Sequence, residues 1–318
     1  MNCLCCGKPI IETAMEQEKS VGWHNRCVKR FFGTKTLPYI DVSEEVLEQL
    51  AIESTNKGLT VPGVQKKMSL HLDTNGATPR LTLVNYPTGY ILKPQTKDYP
   101  CLPEAEYLVM QMAEKAKIKT VPHALIRIKA QDNSFAYITK RIDRRDGKRL
   151  AMEDFCQLDG RLTEDKYKGS YERCAKIIRK YSSRAGLDIT ELLIRVVFSY
   201  IVGNSDMHLK NFSLIETDEN SRNYILSDAY DMLPVNTVNP ADTEQTALTL
   251  NGKKRNLHRN DFLKFADACQ IDRAVAGKII DRLKGYKNEL IKETEQSYLT
   301  DELKENLIIL IKNRINTI

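Results

Sequence analysis

Asp206, His208, Lys210 and Asn211 place an acid, an imidazole, an ammonium and an amide within six residues of the stretch Ser199–Asn211, S-Y-I-V-G-N-S-D-M-H-L-K-N. A second acid, Asp231, follows twenty residues after Asn211, behind another apolar run. Phosphoryl transfer needs an acid to orient the attacking hydroxyl and accept its proton, and oxygen ligands to hold magnesium beside the phosphates. Asp206 and Asn211 stand as D-x-x-x-x-N, the spacing of the kinase motif H-R-D-x-x-x-x-N. Asp231 is the natural second magnesium ligand, and Lys210 sits where a cation could neutralise the γ-phosphoryl group. The H-R pair is missing, since Asn204-Ser205 stand there, and D-F-G is absent. A generic eukaryotic protein kinase is therefore not supported. The plainer alternative is that Asp206 and Asn211 only cap and turn a loop, as Asp and Asn commonly do. For His208 the alternative to a nucleotide contact is a buried, hydrogen-bonding histidine.

The elements that must carry these groups are readable from periodicity. Ile189, Leu192, Leu193, Val196, Val197, Tyr200 and Ile201 fall on one face at helical spacing. They predict a buried helix over Asp188–Val202, with Asp188 and Glu191 as a capping box and Gly203-Asn204 as its stop. Upstream, Ser43–Ile52 reads as a short helix. Gly58–Lys67 reads as a glycine-bearing loop leading into a strand with alternating Met68, Leu70 and Leu72. Arg80–Val84 and Gly89–Lys93 read as strands, Pro103–Ala116 as a helix with Glu106, Tyr107, Met110, Met112 and Ala113, and Ala124–Ile128 with Phe135–Thr139 as a hairpin. A lysine ending an apolar strand is ordinarily solvated; Lys93 gains meaning if Glu106 pairs with it. This order matches the small lobe of a protein-kinase-like fold. Lys140–Arg145 is a charge run where a hinge would fall. From Glu153 onward the pattern predicts helices over Glu153–Asp159, Ser170–Tyr181, Asp188–Val202, Arg259–Ala268, Arg273–Tyr286 and Thr300–Arg314.

A separate chemistry stands at the start. Cys3-x-x-Cys6 and His24-x-x-Cys27 are two short-spaced ligand pairs. Zinc takes four N/S ligands in a tetrahedron, and a four-ligand site is structural because no position stays open. With Trp23 before the histidine, the pattern is similar to a LIM-like or treble-clef module. Free surface cysteines are the alternative, and Cys5 is a spare thiol. The expected organisation is an α+β chain: a zinc-binding module over 1–35, a mixed small lobe over 36–140 and a mainly helical large lobe over 141–318.

Composition sets the frame. The 318 residues are 42% hydrophobic and 28% charged, with a net charge of +6. That suits a globular chain able to bury its own cores and permits acidic partners without proving any. The first residues lack the apolar region of a signal peptide, and the longest apolar run, Leu192–Gly203, carries Arg195 and is too short for a bilayer. A cytoplasmic protein with no membrane contact is expected, its eight cysteines being thiols or metal ligands.

The loop also has a family likeness. Gly203-Asn204-Ser205-Asp206-Met207-His208-Leu209-Lys210-Asn211-Phe212-Ser213, followed by Leu226-Ser227-Asp228-Ala229-Tyr230-Asp231, resembles the HipA-type serine/threonine kinases, toxins of bacterial toxin–antitoxin systems. Gly63-Val64-Gln65-Lys66-Lys67 resembles that family's G-x-Q-x-K loop, and Ile91-Leu92-Lys93-Pro94 its lysine strand. Glu106-Tyr107 stands for its N-E-Y, with Ala105 in place of Asn. Lys140-Arg141-Ile142-Asp143-Arg144 stands for its hinge, and Arg149–Gln157 for its R-L-x-x-E-D-x-C-Q. The match is colinear from about residue 58 to 235.

The resemblance implies ATP- and magnesium-dependent phosphorylation of serine or threonine on a protein, the family's known targets being aminoacyl-tRNA synthetases. Asp206 would be the base, and Asn211 and Asp231 the magnesium ligands. Lys93, steadied by Glu106, would meet phosphate, with Gly63, Val64, Gln65 and Lys67 over it. The backbone at Lys140, Arg141 and Ile142 would meet adenine, with His208 and Tyr230 also at the nucleotide. Self-phosphorylation in the Gly loop would fall on Thr60. Longer members carry a further subdomain before that loop, so this chain is similar to the split members. It implies an antitoxin, a helix-turn-helix protein, a separate small HipA-N-like protein, and DNA contact only through partners. A small-molecule kinase of the same fold and a non-catalytic zinc or nucleic-acid-binding module are the competing expectations.

Overall fold

The structure, a computed structural model, describes residues 1–42, 67–83, 88–128, 134–145 and 147–318. The expected helix over Ser43–Ile52 and Thr60, Gly63, Val64 and Gln65 of the Gly loop lie outside the described residues. The chain divides into two compact units, Met1–Tyr107 with Val121–Ile142, and Leu108–Thr120 with Asp143–Ile318.

The first unit begins with α1 (Glu16–Val21) and α2 (Asn25–Phe32), each closed by a left-handed glycine, Gly22 and Gly33. It continues through β1 (Tyr39–Asp41), β2 (Met68–Asp73), β3 (Arg80–Thr82) and β4 (Tyr90–Pro94). After α3 (Leu102–Lys115), which runs on into the second unit, come β5 (His123–Ile128) and β6 (Ser134–Lys140). The strands form one sheet in the order β1-β3-β2-β4-β6-β5, antiparallel except for β1 against β3. Burial alternates along β2, where Met68 and Leu70 point inward and Ser69 outward. That period of two is what a sheet with one covered face requires.

The second unit holds the hairpin β7 (Arg144–Arg145) and β8 (Lys148–Arg149), then β9 (Met152–Asp154) and the short α4 (Phe155–Leu158). Next come α5 (Tyr171–Tyr181) and α6 (Ala185–Val202), then β10 (Ser213–Glu216), β11 (Tyr224–Leu226) and α7 (Val235–Val238). It ends with α8 (Arg259–Ala268), α9 (Arg273–Gly285), α10 (Lys287–Glu295) and α11 (Asp301–Thr317). A mixed unit and a mainly helical one make the α+β, kinase-like fold that the order of elements predicts.

Two expectations need correction. Glu153 and Asp154 are not helical: they lie in β9, paired with Leu214 and Ser213 of β10, and the helix starts at Phe155. A strand so short is specified by a partner some sixty residues away, which local periodicity does not register. The helix α6 starts at Ala185, with Arg184 at its N-cap, so Asp188 and Glu191 form no capping box. Asp188 is instead buried inside the first turn. It accepts from Ser182 Oγ (2.6 Å), Arg184 Nε (2.9 Å) and the Leu226 N–H of β11 (2.7 Å). Glu191 pairs with Arg195 at 2.9 Å. The other end is as expected. Gly203 closes α6 at φ +71, and a Cβ there would sit 2.9 Å from Leu310 Cδ1, so glycine answers both the backbone and the packing.

Candidate active site

Nearly everything in the loop after α6 is buried: Asn204, Ser205, Asp206, Met207, His208, Leu209 and Asn211 all are. Its backbone is tied from several sides. The Asp206 N–H meets Asn204 Oδ1 (3.3 Å), and the Leu209 N–H meets the Lys166 carbonyl (3.1 Å). The Tyr171 hydroxyl donates to the Met207 carbonyl (3.1 Å). Asn211 donates its amide N–H to the Asp206 carbonyl (2.9 Å), so the D-x-x-x-x-N pair folds onto itself and the amide oxygen is the atom left for a cation.

Asp206 is held by a residue that no motif points to. The Tyr167 hydroxyl donates to Asp206 Oδ1 at 2.6 Å, and His208 Nε2 lies 3.7 Å from Asp206 Oδ2. Tyr167 and His208 meet edge to face, with ring centroids 5.0 Å apart. Burial, reinforced by the positive charge of Lys166, pushes the His208 pKa down to about 4, against a pull upward from Asp231. The imidazole is therefore neutral near pH 7. Its Nδ1 is buried without a hydrogen-bond partner among the described residues. A buried polar atom left so is costly, and it fits a site built for a polar ligand.

Lys210 is not a solitary cation. Its Nζ lies 2.7 Å from Asp154 Oδ2, and Asp154 also caps α4. Tyr230 is half-buried with its hydroxyl turned inward, where it meets Ser213 Oγ (2.5 Å) and the Lys210 carbonyl (3.1 Å). That burial raises its pKa well above the usual phenol value. Tyr230 thus ties the segment bearing Asp231 to the loop bearing Asn211. Asp231 itself takes a left-handed backbone, φ +60, between buried Ala229 and Met232. An aspartate tolerates that conformation better than most residues, and such strain gathers where a side chain must be aimed.

In the first unit Lys93 lies between buried Leu92 and Pro94 of β4, and its Nζ meets Glu106 Oε1 of α3 at 2.7 Å, both side chains buried. The ammonium also lies over the Tyr137 ring, 5.5 Å from its centroid. Lys67 is exposed just before β2. At the expected hinge, the N–H groups of Lys140 and Arg141 already donate within the unit, to the Pro122 and Gly89 carbonyls (2.9 Å each).

Cys3, Cys6, His24 and Cys27 converge, their ligand atoms all within 4.8 Å of one another. His24 Nδ1 faces Cys6 Sγ at 3.5 Å and Cys27 Sγ at 4.0 Å, while its Nε2 meets the Pro9 carbonyl at 3.2 Å. A second nitrogen bound to a carbonyl fixes the tautomer that leaves Nδ1 as a ligand, the usual arrangement behind a metal-bound histidine. Hydrogen bonds from Cys27 and Cys3 pull the Cys6 thiol far below its ordinary pKa. Three sulfurs and one imidazole nitrogen fit a tetrahedral zinc ion.

The HipA-like C-terminal domain model matches residues 59–290. The chain belongs to that family. Among curated proteins it is 30% identical over 176 residues to one of Haemophilus influenzae named "Putative kinase", covering 50% of this chain and 48% of that one. It is 33% identical over 215 residues to "Putative kinase Y4dM" of Sinorhizobium fredii, covering 63% of this chain and 51% of that one. The chain thus spans about half the length of the curated relatives it matches. Among solved structures it resembles HipA of Shewanella oneidensis MR-1, determined with HipB and operator DNA. The TM-score is 0.69 at 19% identity, over 86% of this chain and 68% of that one. It also resembles the proinflammatory kinase CtkA of Helicobacter pylori, with a TM-score of 0.54 at 15% identity, over 79% of this chain and 93% of that one. Both likenesses are of fold.

The motifs led to Asp206, Asn211, Lys210 and Asp231, and to the Lys93–Glu106 pair. They did not lead to Tyr167, which lies 39 positions before Asp206 in an unpatterned segment. Asp154 carried a detectable signal as the D-x-x-Q start of α4, though not for its bond to Lys210.

Proposed function

We propose that this chain is an ATP-dependent protein kinase that transfers the γ-phosphoryl group to a serine or threonine hydroxyl. The observation that carries the reading is the buried Asp206, held by Tyr167 and tied through its own carbonyl to Asn211. Asp206 orients the target hydroxyl and takes up its proton as the new P–O bond forms and the bond from the γ-phosphorus to the bridging oxygen of ATP breaks, releasing ADP. Asn211 and Asp231 are the residues to hold magnesium, which would neutralise phosphate charge when bound. Lys93, fixed by Glu106, meets phosphate. Gly63, Val64, Gln65 and Lys67 cover it, and His208 and Tyr230 border the nucleotide. With two N–H groups at Lys140–Ile142 already engaged, adenine is read there through the remaining backbone groups. Lys210, restrained by Asp154, supplies positive charge beside the reacting group. Zinc at Cys3, Cys6, His24 and Cys27 is structural.

The finer picture follows the family. The target is an aminoacyl-tRNA synthetase, so modification slows translation, and Thr60 is the site of self-phosphorylation. The Shewanella relative was determined with HipB and operator DNA. By that analogy the partners are a helix-turn-helix antitoxin and a small HipA-N-like protein, with DNA reached through them, in the cytoplasm. No helix among the described residues is long and apolar enough to cross a membrane.

The test is incubation of the purified chain with labelled ATP, magnesium and host lysate, beside Asp206→Ala. A labelled protein band that requires Asp206 supports the reading. Label on a metabolite alone makes it a small-molecule kinase, and no transfer makes it a binding module.

A further inference from the structure

The cysteine–histidine cluster is not an appendage: it is joined to the residues around Lys93 by three routes, all within the first unit. The first is backbone. β5 is an edge strand of the six-stranded sheet, and the edge would otherwise leave its amide groups unpaired. Leu125 of β5 donates its N–H to the Leu4 carbonyl (2.8 Å) and accepts from Trp23 Nε1 at its own carbonyl (3.1 Å). Leu4 follows Cys3, Trp23 precedes His24, and both side chains are buried. The second route is aromatic. Phe31 and Phe32, just after Cys27, pack on Tyr90 at centroid distances of 6.0 and 5.3 Å, and the Tyr90 hydroxyl donates to the Phe31 carbonyl (3.3 Å). Tyr90 opens β4, the strand that carries Lys93. The third runs through α3. The Tyr107 hydroxyl donates to the Cys3 carbonyl (3.4 Å), and Tyr107 is next to Glu106, the partner of Lys93. From Tyr107 the ring contacts continue to His123 (5.9 Å) and on to Tyr137 (6.2 Å), the ring beneath the Lys93 ammonium.

The cluster side of these contacts is held by the packing of Leu4, Trp23, Val28, Phe31 and Phe32 and by no covalent cross-link. The segment has helices of six and eight residues and no disulfide among its cysteines. So small a segment lacks the buried area to hold its shape alone, and in such modules metal-binding free energy is folding free energy.

We propose that metal occupancy at Cys3, Cys6, His24 and Cys27 controls how firmly the Lys93–Glu106 pair is held, and so sets the affinity for magnesium–ATP. The site is a metal-dependent brace of the nucleotide-binding unit. The inference rests on the reading of Lys93 as a phosphate ligand, and the experiment separates the two.

The purified chain is compared in five forms: zinc-loaded, zinc-stripped by chelation, zinc-loaded Lys93→Ala, Cys6→Ser and Trp23→Phe. Metal content, magnesium–ATP affinity and amide hydrogen exchange are measured on each. The loaded form is expected to carry one zinc. Stripping or Cys6→Ser is expected to weaken magnesium–ATP binding by about tenfold, a usual size for coupling between sites. It is also expected to speed exchange in β4, β5 and the first turns of α3 while α6 stays protected, and added zinc is expected to reverse the stripped form. Trp23→Phe keeps all four ligands but loses the bond to Leu125; it is expected to retain zinc and show the same exchange change in β5 alone. Four results overturn the inference: no zinc bound in any form, unchanged exchange in β4 and α3 on stripping, loss of α6 protection together with theirs, or ATP affinity within twofold of the loaded form. If stripping leaves affinity unchanged while Lys93→Ala weakens it, the brace fails and the reading of Lys93 stands. If Lys93→Ala leaves affinity unchanged, that reading fails and takes the proposed link to ATP with it, whatever the exchange shows.

Discussion

Tyr167 donates its hydroxyl to Asp206 Oδ1 at 2.6 Å while its ring meets that of His208 edge to face. One side chain thus fixes the acid and crowds the imidazole two residues on. Hydrogen bonds to a charged group are worth roughly 1.5–3 kcal/mol, so losing this one frees the carboxylate to turn. Tyr167→Phe keeps the ring. It is expected to lower the rate of phosphoryl transfer about tenfold or more while leaving ATP affinity and melting temperature nearly unchanged. Kinetics of the variant beside the parent chain check this; an unchanged rate removes Tyr167 from the site.

Asp206→Ala is expected to remove the base, with a fall in rate of about 10²–10⁴, the usual contribution of positioned acid–base groups. Asn211→Ala should do more than loosen metal, because its amide N–H also closes the loop onto the Asp206 carbonyl. Its melting temperature is expected to fall where that of Asp206→Ala does not. Calorimetry on both variants distinguishes the two roles.

Burial lowers the His208 pKa to about 4 from an ordinary 6.5. The unfolded chain therefore binds a proton between those values that the folded chain refuses, and stability rises with pH across that window. Below about pH 4 the loss is complete, amounting to about 3 kcal/mol. Denaturant titrations of the parent chain and His208→Gln between pH 4 and 7 test it. The stability difference between them should shift toward the variant as pH falls, and parallel curves would contradict it.

The Lys93–Glu106 pair is buried on both sides. Removing one partner leaves the other charged in a low-dielectric place, which costs about 3–5 kcal/mol. Glu106→Gln is expected to destabilise the chain by that order and to weaken ATP binding. Lys93→Met with Glu106→Gln, which leaves no charge stranded, should recover most of the stability and none of the binding. Paired unfolding and binding measurements decide it.

Gly203→Ala is expected to cost about 1–3 kcal/mol, since φ is +71 and a Cβ meets Leu310 Cδ1 at 2.9 Å. Adding Leu310→Ala should relieve the contact part and leave the backbone part. Thermal melts of the single and double variants measure the two shares.

Much of this is legible in the sequence. The 3.6-residue rhythm of Ile189 to Ile201 marks α6, and Gly203 its end, because both depend on neighbours in sequence. Lys93 and Glu106 were readable as partners only conditionally, from a strand and a helix thirteen positions apart. What stayed hidden depends on distant pairing. β9 is a strand because of β10, and Asp188 is spent on Ser182, Arg184 and Leu226 rather than on capping. Tyr167 reaches Asp206 across a chain interval with no pattern of its own. The convergence of the cysteine pairs was legible, but not their attachment to Leu125 and Tyr107, since those contacts cross about a hundred positions.

Asp188 and Gly203 also define a length. Asp188 pins the first turn of α6 to the N–H of Leu226, five residues before Asp231, while Gly203 releases the chain three residues before Asp206. Between them the helix acts as a ruler of fixed gradation, each residue worth about 1.5 Å and 100°. One residue added or removed in that interval would rotate and shift the Asp206 loop against the strand leading to Asp231. Substitutions along α6 are thus open to compensation by repacking, whereas a change in its residue count is not.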